Sequence, residues 1–472
     1  MTNELLLKNG RLVDPKNNID KKLDIFIQDG KIAGLEEEFG DIAKNVINLE
    51  GKIIVPGIID MHTHLSKKFG NIGYKMVAET GVTTAIDFAG PVEDVVEDLS
   101  NLGSGLNVGL IDAIIPGSQF FKNNRPTPTE LNSFIDYTLE KGSLGIKLFG
   151  GHAPLDPVST EDAIRLANQR EIMIAFHAGT TESKSDMTGM REAIKLAKDN
   201  SIILAHINAY CRGRVNNPYE EIKEAFDLLN NHPNIFGESH LAVMNGTSGK
   251  CTNGVPDDYV TKVCLDLYGF EISQEGLEKA IKAGVVSVIK IEKGANLLIK
   301  GNRAYDHWVN CSTNVSISFP ANIPTVAVAC ATEKNKINNE FLLKVTSTDG
   351  GGIPRNNLIK RMLSLYHLGY LSLSEVVQKT SYNPALLFGL YNKGHLSIGA
   401  DADITVIDLE KSCSTMSIVK GEINMIDGVV IRKNGTYLIT ESGIQTAKRM
   451  KVPYEVIDPG QSLLYSSNNL RS

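Results

Sequence analysis

The chain has 472 residues, 42% of them hydrophobic and 22% charged, a composition typical of a globular protein with a large core and not of a disordered chain. The formal net charge of -7 and the lack of clustered Lys and Arg argue against nucleic-acid binding, so the expected partner is a small molecule. Six cysteines form no CxxC pair, and no apolar run reaches the length of a membrane span or a signal-peptide core, which together predict a cytoplasmic protein with reduced thiols and no membrane partner.

Both ends of the chain are predicted to be β structure. Near the N-terminus, short apolar segments alternate with turns at Asn9-Gly10 and Asp29-Gly30, a pattern typical of hairpins. Strand-like runs return at 402–408 and 428–433, and a turn at Asn434-Gly435 follows them. We predict that the two ends complete one small β-sandwich.

Between these ends, apolar strands alternate with helices. The predicted strands are 83–88, 108–115, 144–149, 172–177, 202–206, 234–241 and 344–349. Uniformly apolar strands that alternate with helices indicate βαβ units and a parallel sheet with both faces covered. The expected fold class is therefore α/β, with a (β/α)8 TIM-like barrel.

The alternation loosens after residue 241, where an insertion around 245–320 is expected. Within it, residues 285–319 resemble irregular β structure with turns at Lys293-Gly294 and Lys300-Gly301. The predicted domain bounds are 1–55 and 391–442 for the two parts of the small β domain, 56–390 for the barrel, and 443–472 for a surface arm or tail.

His62 and His64 form a His-x-His pair at the carboxyl end of an apolar strand. Residues two apart in a strand project from the same face, so the two imidazoles point to one place. This is a metal-ligand spacing. Two solvated histidines at a strand end remain an equally common explanation of the pair alone.

Further ionisable residues end other predicted strands: Lys147, His177, His206 and Asp349. Each has an ordinary explanation by itself, such as an ion-paired lysine, a satisfied core histidine or a turn-forming Asp. In a barrel, however, the carboxyl ends of the strands converge on one site. Several buried polar groups at one place need a common partner, and a metal centre supplies one.

The chain resembles the amidohydrolase superfamily, specifically its binuclear cyclic-amidohydrolase branch of hydantoinases, dihydropyrimidinases, dihydroorotases and allantoinases. The resemblance rests on the order Lys, His, His and Asp of the residues that end the strands. It also rests on three segments: Val55-Pro-Gly-Ile-Ile-Asp-Met-His-Thr-His64, Asn383-Pro384-Ala385 and Gly399-Ala-Asp-Ala-Asp403. It departs from hydantoinase-like members after the Lys147 strand, where His152 follows Gly150-Gly151 and no tyrosine is found.

The resemblance implies two divalent metal ions and assigns their ligands. His62, His64 and Asp349 would hold the more buried ion, and His177 and His206 the more exposed one. Lys147, N6-carboxylated, would bridge both ions. Zinc is the expected metal, with manganese, iron or cobalt as alternatives, and a homo-oligomer, either a dimer or a tetramer, is expected.

The predicted reaction is hydrolysis of an amide C–N bond, in a small cyclic amide or ureide, by a metal-bridging hydroxide. Asp349 is the expected catalytic residue and would carry the proton to the departing nitrogen. The alternatives are deamination of a heterocyclic amidine, hydrolysis of a linear N-acyl amino acid or amide, and a non-catalytic oligomeric scaffold.

Candidate substrate-binding residues follow from their positions near these strand ends: His152, Arg212, Arg214, His240 and Asn245. A guanidinium at Arg212 or Arg214 could bind a substrate carboxylate, although a surface ion pair explains either residue equally well. His240 and Asn245 could polarise a carbonyl, and His240 could equally be a satisfied strand histidine.

Overall fold

Eight parallel strands form the centre of the computed structural model, which describes residues 4–40, 43–67, 71–101, 105–433 and 435–469. In chain order they are β1 (Ile58–His64), β2 (Val82–Asp87), β3 (Asn107–Ile114), β4 (Gly145–Phe149), β5 (Met173–His177), β6 (Ile202–Leu204), β7 (Ile235–His240) and β8 (Val345–Ser347). Each strand pairs with the next. Gly350–Gly351, just after β8, pairs in parallel with Thr63 and His64 of β1 and closes the ring. The predicted (β/α)8 barrel is confirmed.

Helices cover the outside of the barrel and follow its strands. They are Gly73–Ala78, Val92–Asn101, Pro128–Lys141, Pro157–Gln169, Met187–Ala197, Pro218–Asn231, Pro324–Thr332 and Leu358–His367. The helix after β3 shows how the sequence sets the ends, because Thr127 and Glu130 form a reciprocal capping box and Gly142 ends the helix in the left-handed conformation. The strands themselves are buried on both faces, as their uniformly apolar sequences predict.

Two further sheets, drawn from both chain ends, form the small β-sandwich. One contains Lys31–Glu36, Asp24–Gln28, Glu4–Lys8 and Asn45–Asn48, and the other Val429–Val430, Glu422–Ile426, Cys413–Val419, Ile404–Asp408, Ile53–Pro56, Arg11–Asp14 and Ile19–Lys22. Apolar side chains of both sheets, including Leu7, Ile27, Ile54 and Ile404, share one buried cluster. The sandwich predicted from the two chain ends is thus present.

The turn at Asp29-Gly30 joins two paired strands, as predicted, whereas Asn9-Gly10 does not. The strand before Asn9 belongs to the first sheet and the strand after Gly10 to the second, so this turn carries the chain between sheets. Turn chemistry fixes the local direction of the backbone but not which strand lies beside which. The predicted Asn434-Gly435 turn includes Asn434, which lies outside the described residues.

The insertion between β7 and the helix Pro324–Thr332 forms a compact lobe over the carboxyl ends of the strands. Its sheet contains Asn245–Ser248, Ser316–Phe319, Ser287–Glu292 and Ala295–Ile299, its hairpin Cys251–Thr252 and Val255–Pro256, and its helices Tyr259–Leu267, Gln274–Lys282 and Gly301–Asn310. The prediction of irregular β structure over 285–319 is wrong in part. Lys300-Gly301 begins a helix, which buries Ala304 and Trp308 against the lobe's own core.

The C-terminal segment packs on the barrel over the residues that the structure describes. Helix Ile444–Met450, strand Tyr454–Val456 and helix Leu463–Asn469 follow Thr436–Ile439, which pairs with β3. Leu464 and Tyr465 are buried. Before this segment, Leu373–Val377 and Asn383–Leu387 flank a π-helical stretch at Gln378–Tyr382. In the described part of the chain, no helix combines the length and apolarity that crossing a membrane needs.

A buried lysine joins the small domain to the barrel and the C-terminal segment. Lys393 Nζ pairs with Asp401, lies 3.0 Å from Asp403 Oδ2 and 3.3 Å from Glu455 Oε2, and is 1% exposed. Asn107 of β3 donates to the same Asp403 oxygen at 2.8 Å. Burial alone would lower the pKa of Lys393, but the three carboxylates raise it, so the ammonium is held charged.

Replacing Lys393 with Met should destabilise the protein by about 3 to 5 kcal/mol, because it leaves the buried Asp403 carboxylate without a cation, whereas Asp401 and Glu455 keep Lys31 and Lys420. The free energy of unfolding in urea would measure this. The control is Lys75→Met, which removes an exposed pair with Glu79 and should cost less than about 1 kcal/mol. Equal losses in the two variants would contradict a structural role for Lys393.

Candidate metal centre

All six predicted ligands lie together at the carboxyl ends of the barrel strands. His64 Nε2 is 2.8 Å and His62 Nε2 3.4 Å from Asp349 Oδ1, and the candidate ligand atoms of these residues lie within 4.8 Å of one another. The period of two along β1 places both imidazoles on one face, as predicted. Three buried donors at this spacing form a group that could hold a divalent ion.

Lys147 lies deep in the barrel with its amine beside these ligands. Its Nζ is 3.2 Å from His62 Nε2 and faces the rings of Phe88 and Phe149 at 5.2 and 5.1 Å from their centroids. Burial lowers the pKa of Lys147 to about 8, although Asp349 and Glu238 oppose the shift. Roughly a tenth of the amine would then be neutral at pH 7, far more than for an exposed lysine.

His177 and His206 form a second pair beside the first. Their ring centroids are 4.3 Å apart, and His206 lies 5.6 Å from His62. Burial holds the pKa of both imidazoles well below the ordinary value, which keeps them neutral and able to bind a metal. Nδ1 of His206 is buried and has no hydrogen-bond partner among the described residues. A buried, unpartnered ring nitrogen is suited to a ligand that the protein itself does not supply.

Gly151 allows the His177 ring to occupy its position. A Cβ at this residue would lie 2.0 Å from His177 Nε2, closer than any side chain permits. The same nitrogen is 2.8 Å from Ser185 Oγ, which holds the ring from the other side. Position 151 therefore requires glycine for a steric reason. In the sequence, Gly150-Gly151 was noted only as part of a departure from hydantoinase-like members.

Asp349 has a different partner on each carboxylate oxygen. Oδ1 faces the imidazoles of His62 and His64, whereas Oδ2 pairs with the guanidinium of Arg355 and lies 3.9 Å from His240 Nε2. Burial alone would raise the pKa of Asp349, but Arg355 and the two histidines hold it well below its usual range. The side chain is therefore ionised at neutral pH.

Glu238, in β7, accepts hydrogen bonds from residues of the candidate metal centre. It accepts from His62 Nδ1 and from the backbone N–H of His206, both at 2.7 Å, and from the Ser347 hydroxyl. Because His62 Nδ1 donates to this carboxylate, Nε2 is left free to face Asp349 and Lys147. The buried side chain thus bonds to His62 of β1, to His206, two positions after β6, and to Ser347 of β8.

A cavity of about 430 Å³ lies above the six residues, and side chains of the barrel and the insertion line it. Two candidate substrate-binding residues, His152 and Asn245, lie in its wall. His152 Nδ1 is 3.0 Å from Asp258 Oδ2 of the insertion, so this histidine joins the lobe to the barrel. The insertion therefore completes the cavity in which a substrate would bind.

The other three candidates do not line this cavity. Arg212 and Arg214 line a smaller adjoining cavity of about 30 Å³, which shares His177 and Asn245 with the larger one. His240 lies behind Asp349, where its Nδ1 accepts from the backbone N–H of Ala242 at 3.2 Å. Nε2 then carries the proton of the neutral ring and faces Asp349 Oδ2.

Two residues of the site, Glu238 and Arg355, were missed at the level of sequence. Glu238 lies within a predicted barrel strand, and a charged residue inside a strand that is buried in the sheet is itself the signal. Arg355 follows Asp349 by six positions in a glycine-rich loop. No local pattern predicts that this loop folds back so that its guanidinium reaches the Asp349 carboxylate.

Comparisons with known proteins agree with this geometry. Residues 53–438 match the amidohydrolase family. A dihydroorotase of Elusimicrobium minutum (strain Pei191) is 23% identical over 93% of this chain and 99% of its own length. A dihydroorotase of Syntrophus aciditrophicus (strain SB) is 24% identical over 87% of this chain and 90% of its own length. The structure of a D-aminoacylase is 15% identical and aligns with a TM-score of 0.67 over 92% of this chain and 99% of its own. The structure of a D-hydantoinase is 16% identical and aligns with a TM-score of 0.60 over 92% of this chain and 98% of its own. With its barrel, its small β-sandwich and this match, the chain belongs to the amidohydrolase family and is a hydrolase of non-peptide C–N bonds.

Proposed function

We propose that the protein hydrolyses an amide bond in a small cyclic amide or ureide and depends on two divalent metal ions. The observation that carries this is the buried cluster of four imidazoles, one carboxylate and one amine at the floor of a single cavity. In the reaction, the oxygen of water bonds to the carbonyl carbon, the C–N bond breaks, and the nitrogen leaves with a proton. The predicted homo-oligomer and cytoplasmic location remain predictions of the sequence.

The donor set fits divalent ions. His62, His64 and Asp349 would hold one ion and His177 and His206 the other, and zinc suits a site of imidazole and carboxylate ligands. Neutral rings and the unpartnered Nδ1 of His206 support this assignment. When bound, such ions supply Lewis acidity, which makes water a stronger nucleophile at neutral pH and polarises the substrate carbonyl.

Lys147 is proposed to be the residue shared by the two ions after it takes up carbon dioxide on its amine. A neutral amine is the nucleophile in that addition, and burial makes the neutral form accessible by lowering the pKa of Lys147 to about 8. The amine nitrogen bonds to the carbon of carbon dioxide and loses one proton to solvent, which leaves a carbamate, an anion with two oxygens. It would also remove a positive charge from a place where cations are to bind.

Asp349 is proposed to carry the proton from water to the leaving nitrogen. Its ionised carboxylate can accept a proton, and its place in the cavity wall gives it access to the reacting atoms. Arg355 and His240 act as positioning residues, since both face Oδ2 and leave Oδ1 turned toward the histidines.

The volume of the cavity, about 430 Å³, supports a small substrate. The apolar walls include Phe149, Ile289 and Ile317, and Asn245–Ser248 add backbone and side-chain polar groups that can bind amide atoms. The insertion bounds this space above the strand ends, and the volume is large enough for one small ring. The size and lining therefore favour a cyclic amide or ureide.

The proposal is tested by metal content together with activity. Purified protein should contain about two divalent ions per chain and should hydrolyse members of a cyclic amide panel, with activity lost on chelation and restored by metal.

Lys147→Ala should lower the content of both ions, because the proposed carbamate is shared by both, whereas Lys282→Ala on the exposed lobe surface should not. Full metal content and activity in Lys147→Ala would leave the lysine a structural residue.

Asp349→Asn should reduce turnover by on the order of 10²-fold or more, because the amide keeps the shape of the side chain but cannot accept the proton. Steady-state kinetics beside metal analysis would separate lost proton transfer from lost metal. Asp136→Asn, which changes an exposed partner of Arg170, is the matched control. Near-normal turnover in Asp349→Asn would contradict proton transfer by Asp349 and would leave it the role of a turn-forming residue.

Glu238→Gln should weaken metal retention about 10- to 100-fold, because a neutral amide oxygen is a weaker acceptor for His62 Nδ1–H than the carboxylate is and orients the ring less firmly. Competition with a chelator would measure the affinity. Glu224→Gln, at an exposed pair with Arg191, should behave as wild type. If both variants keep wild-type affinity, Glu238 does not orient the His62 ligand.

A further inference from the structure

We propose that the barrel face opposite the candidate metal centre is an interface between two copies of this chain, in which Ile337 of each copy inserts into an apolar cavity of the other. This surface lies at the amino ends of β7 and β8, whereas the candidate metal ligands lie at the carboxyl ends of the strands. The inference goes beyond the proposed function and does not depend on it. It rests on an exposed side chain, a neighbouring cavity and the charges beside both.

Ile337 is the most exposed large apolar residue in the described part of the chain, with 95% of its surface open to solvent. It lies at the tip of the loop 334–341, just before β8. Asn335 holds this tip, since its Oδ1 accepts from the backbone N–H of Ile337 at 2.7 Å and its Nδ2 donates to Asn230 Oδ1 at 2.8 Å. The backbone N–H of Asn335 also donates to the carbonyl of Glu340 at 2.8 Å. A side chain on such a hydrogen-bonded loop loses little freedom when it binds.

A cavity of about 250 Å³ opens directly beside this loop, and Asn335 and Asn338 line one side of it. Its other walls are mostly apolar and include Leu229, Ile235, Phe236, Leu342, Leu387 and Leu463. Drug-sized ligands occupy pockets of roughly 300 to 1,000 Å³, so this volume suits one aliphatic side chain better than such a ligand. Scattered exposed apolar residues are common and indicate nothing alone. Here, however, an exposed apolar side chain and an apolar cavity lie side by side on one surface.

A two-fold axis between the loop and the cavity would use both features at once. Ile337 does not line the cavity of its own chain, so only another copy can supply this side chain to it. In a two-fold contact the same surface serves both copies, and each contact occurs twice. Two reciprocal insertions close the assembly, whereas a contact without this symmetry would continue into a ring or a polymer. The second copy is therefore the occupant that fits the surface.

The charges beside the two features are complementary across such an axis. Lys336, next to Ile337, is exposed and has no hydrogen bond or ion pair within the residues that the structure describes. Glu340, in the cavity wall, is 58% exposed and binds Lys344 of its own chain through one carboxylate oxygen. Lys336 of one copy would thus meet Glu340 of the other. Because two chains of net charge -7 repel one another at long range, local pairs of opposite charge favour this orientation.

Sedimentation velocity of the full chain over a range of concentrations tests the interface. We expect wild type to form a dimer, or a tetramer built from it. Ile337→Glu should raise the dissociation constant at least about 100-fold, because a charge replaces an apolar side chain at two symmetric contacts. Ile337→Val should raise it about tenfold, since one methylene group is lost at each contact. The matched control is Ile398→Glu, at an isoleucine that is 71% exposed, which should leave the assembly unchanged.

A mixing experiment separates insertion into the cavity from a general effect of the loop. Leu463→Trp enlarges a half-buried side chain in the cavity wall and should also dissociate the assembly, because it blocks both insertion sites. Mixed with Ile337→Glu, it should form mixed pairs, since one copy supplies an intact isoleucine and the other an intact cavity. If Leu463→Trp does not fold, the two substitutions at the exposed Ile337 decide.

Three results of sedimentation would overturn the interface: a monomeric wild type, open-ended growth with concentration, or equal stability of the assembly in Ile337→Glu and Ile398→Glu. Failure of the folded Leu463→Trp and Ile337→Glu variants to form mixed pairs would overturn it as well. None of these results bears on the proposed reaction, because the candidate metal centre lies at the other end of the barrel.

Discussion

The cost of burying ionisable groups is the constraint on which the whole site depends. The barrel places imidazoles, a carboxylate and an amine at the ends of apolar strands, where each is largely buried and must find a partner. Part of the cost is met within the protein: Glu238 accepts from His62, and Arg355 pairs with Asp349. Nδ1 of His206 is left without a partner among the described residues, and Lys147 Nζ contacts a ring nitrogen of His62 instead of a carboxylate. That incomplete pairing distinguishes a binding site from a satisfied polar core.

The same constraint explains how the supporting residues are arranged. Asp349 lies between a side that faces the histidines and a side held by Arg355 and His240, so its two oxygens have different environments. Burial pushes the pKa of the histidines and the lysine down, while the nearby cations also keep the pKa of Asp349 low. Neutral imidazoles and one ionised carboxylate are the protonation states that ligands of divalent ions need.

The insertion adds a second level of organisation to an otherwise common barrel. It has its own apolar core and is tied to the barrel by His152 with Asp258 and by Arg212 with Asn245 and Asn322. The lobe therefore determines the size of the cavity and the groups in its wall, while the strand ends determine the chemistry at its floor. Differences in substrate within such a family are expected to arise mostly in elements of this kind.

The sequence alone determined the fold class and the set of candidate ligands, because both depend on short-range periodicity. Alternation of apolar strands with helices predicts the barrel, and spacing by two along one strand predicts that His62 and His64 share a face. Only the tertiary structure decided what depends on contacts distant in the chain. Glu238 reaches His62 across 176 positions and Arg212 reaches Asn322 across 110, and no local pattern encodes either approach. For the same reason, a turn at Asn9-Gly10 was predictable but its partner sheets were not, and the helix Gly301–Asn310 became evident only from the core that it covers.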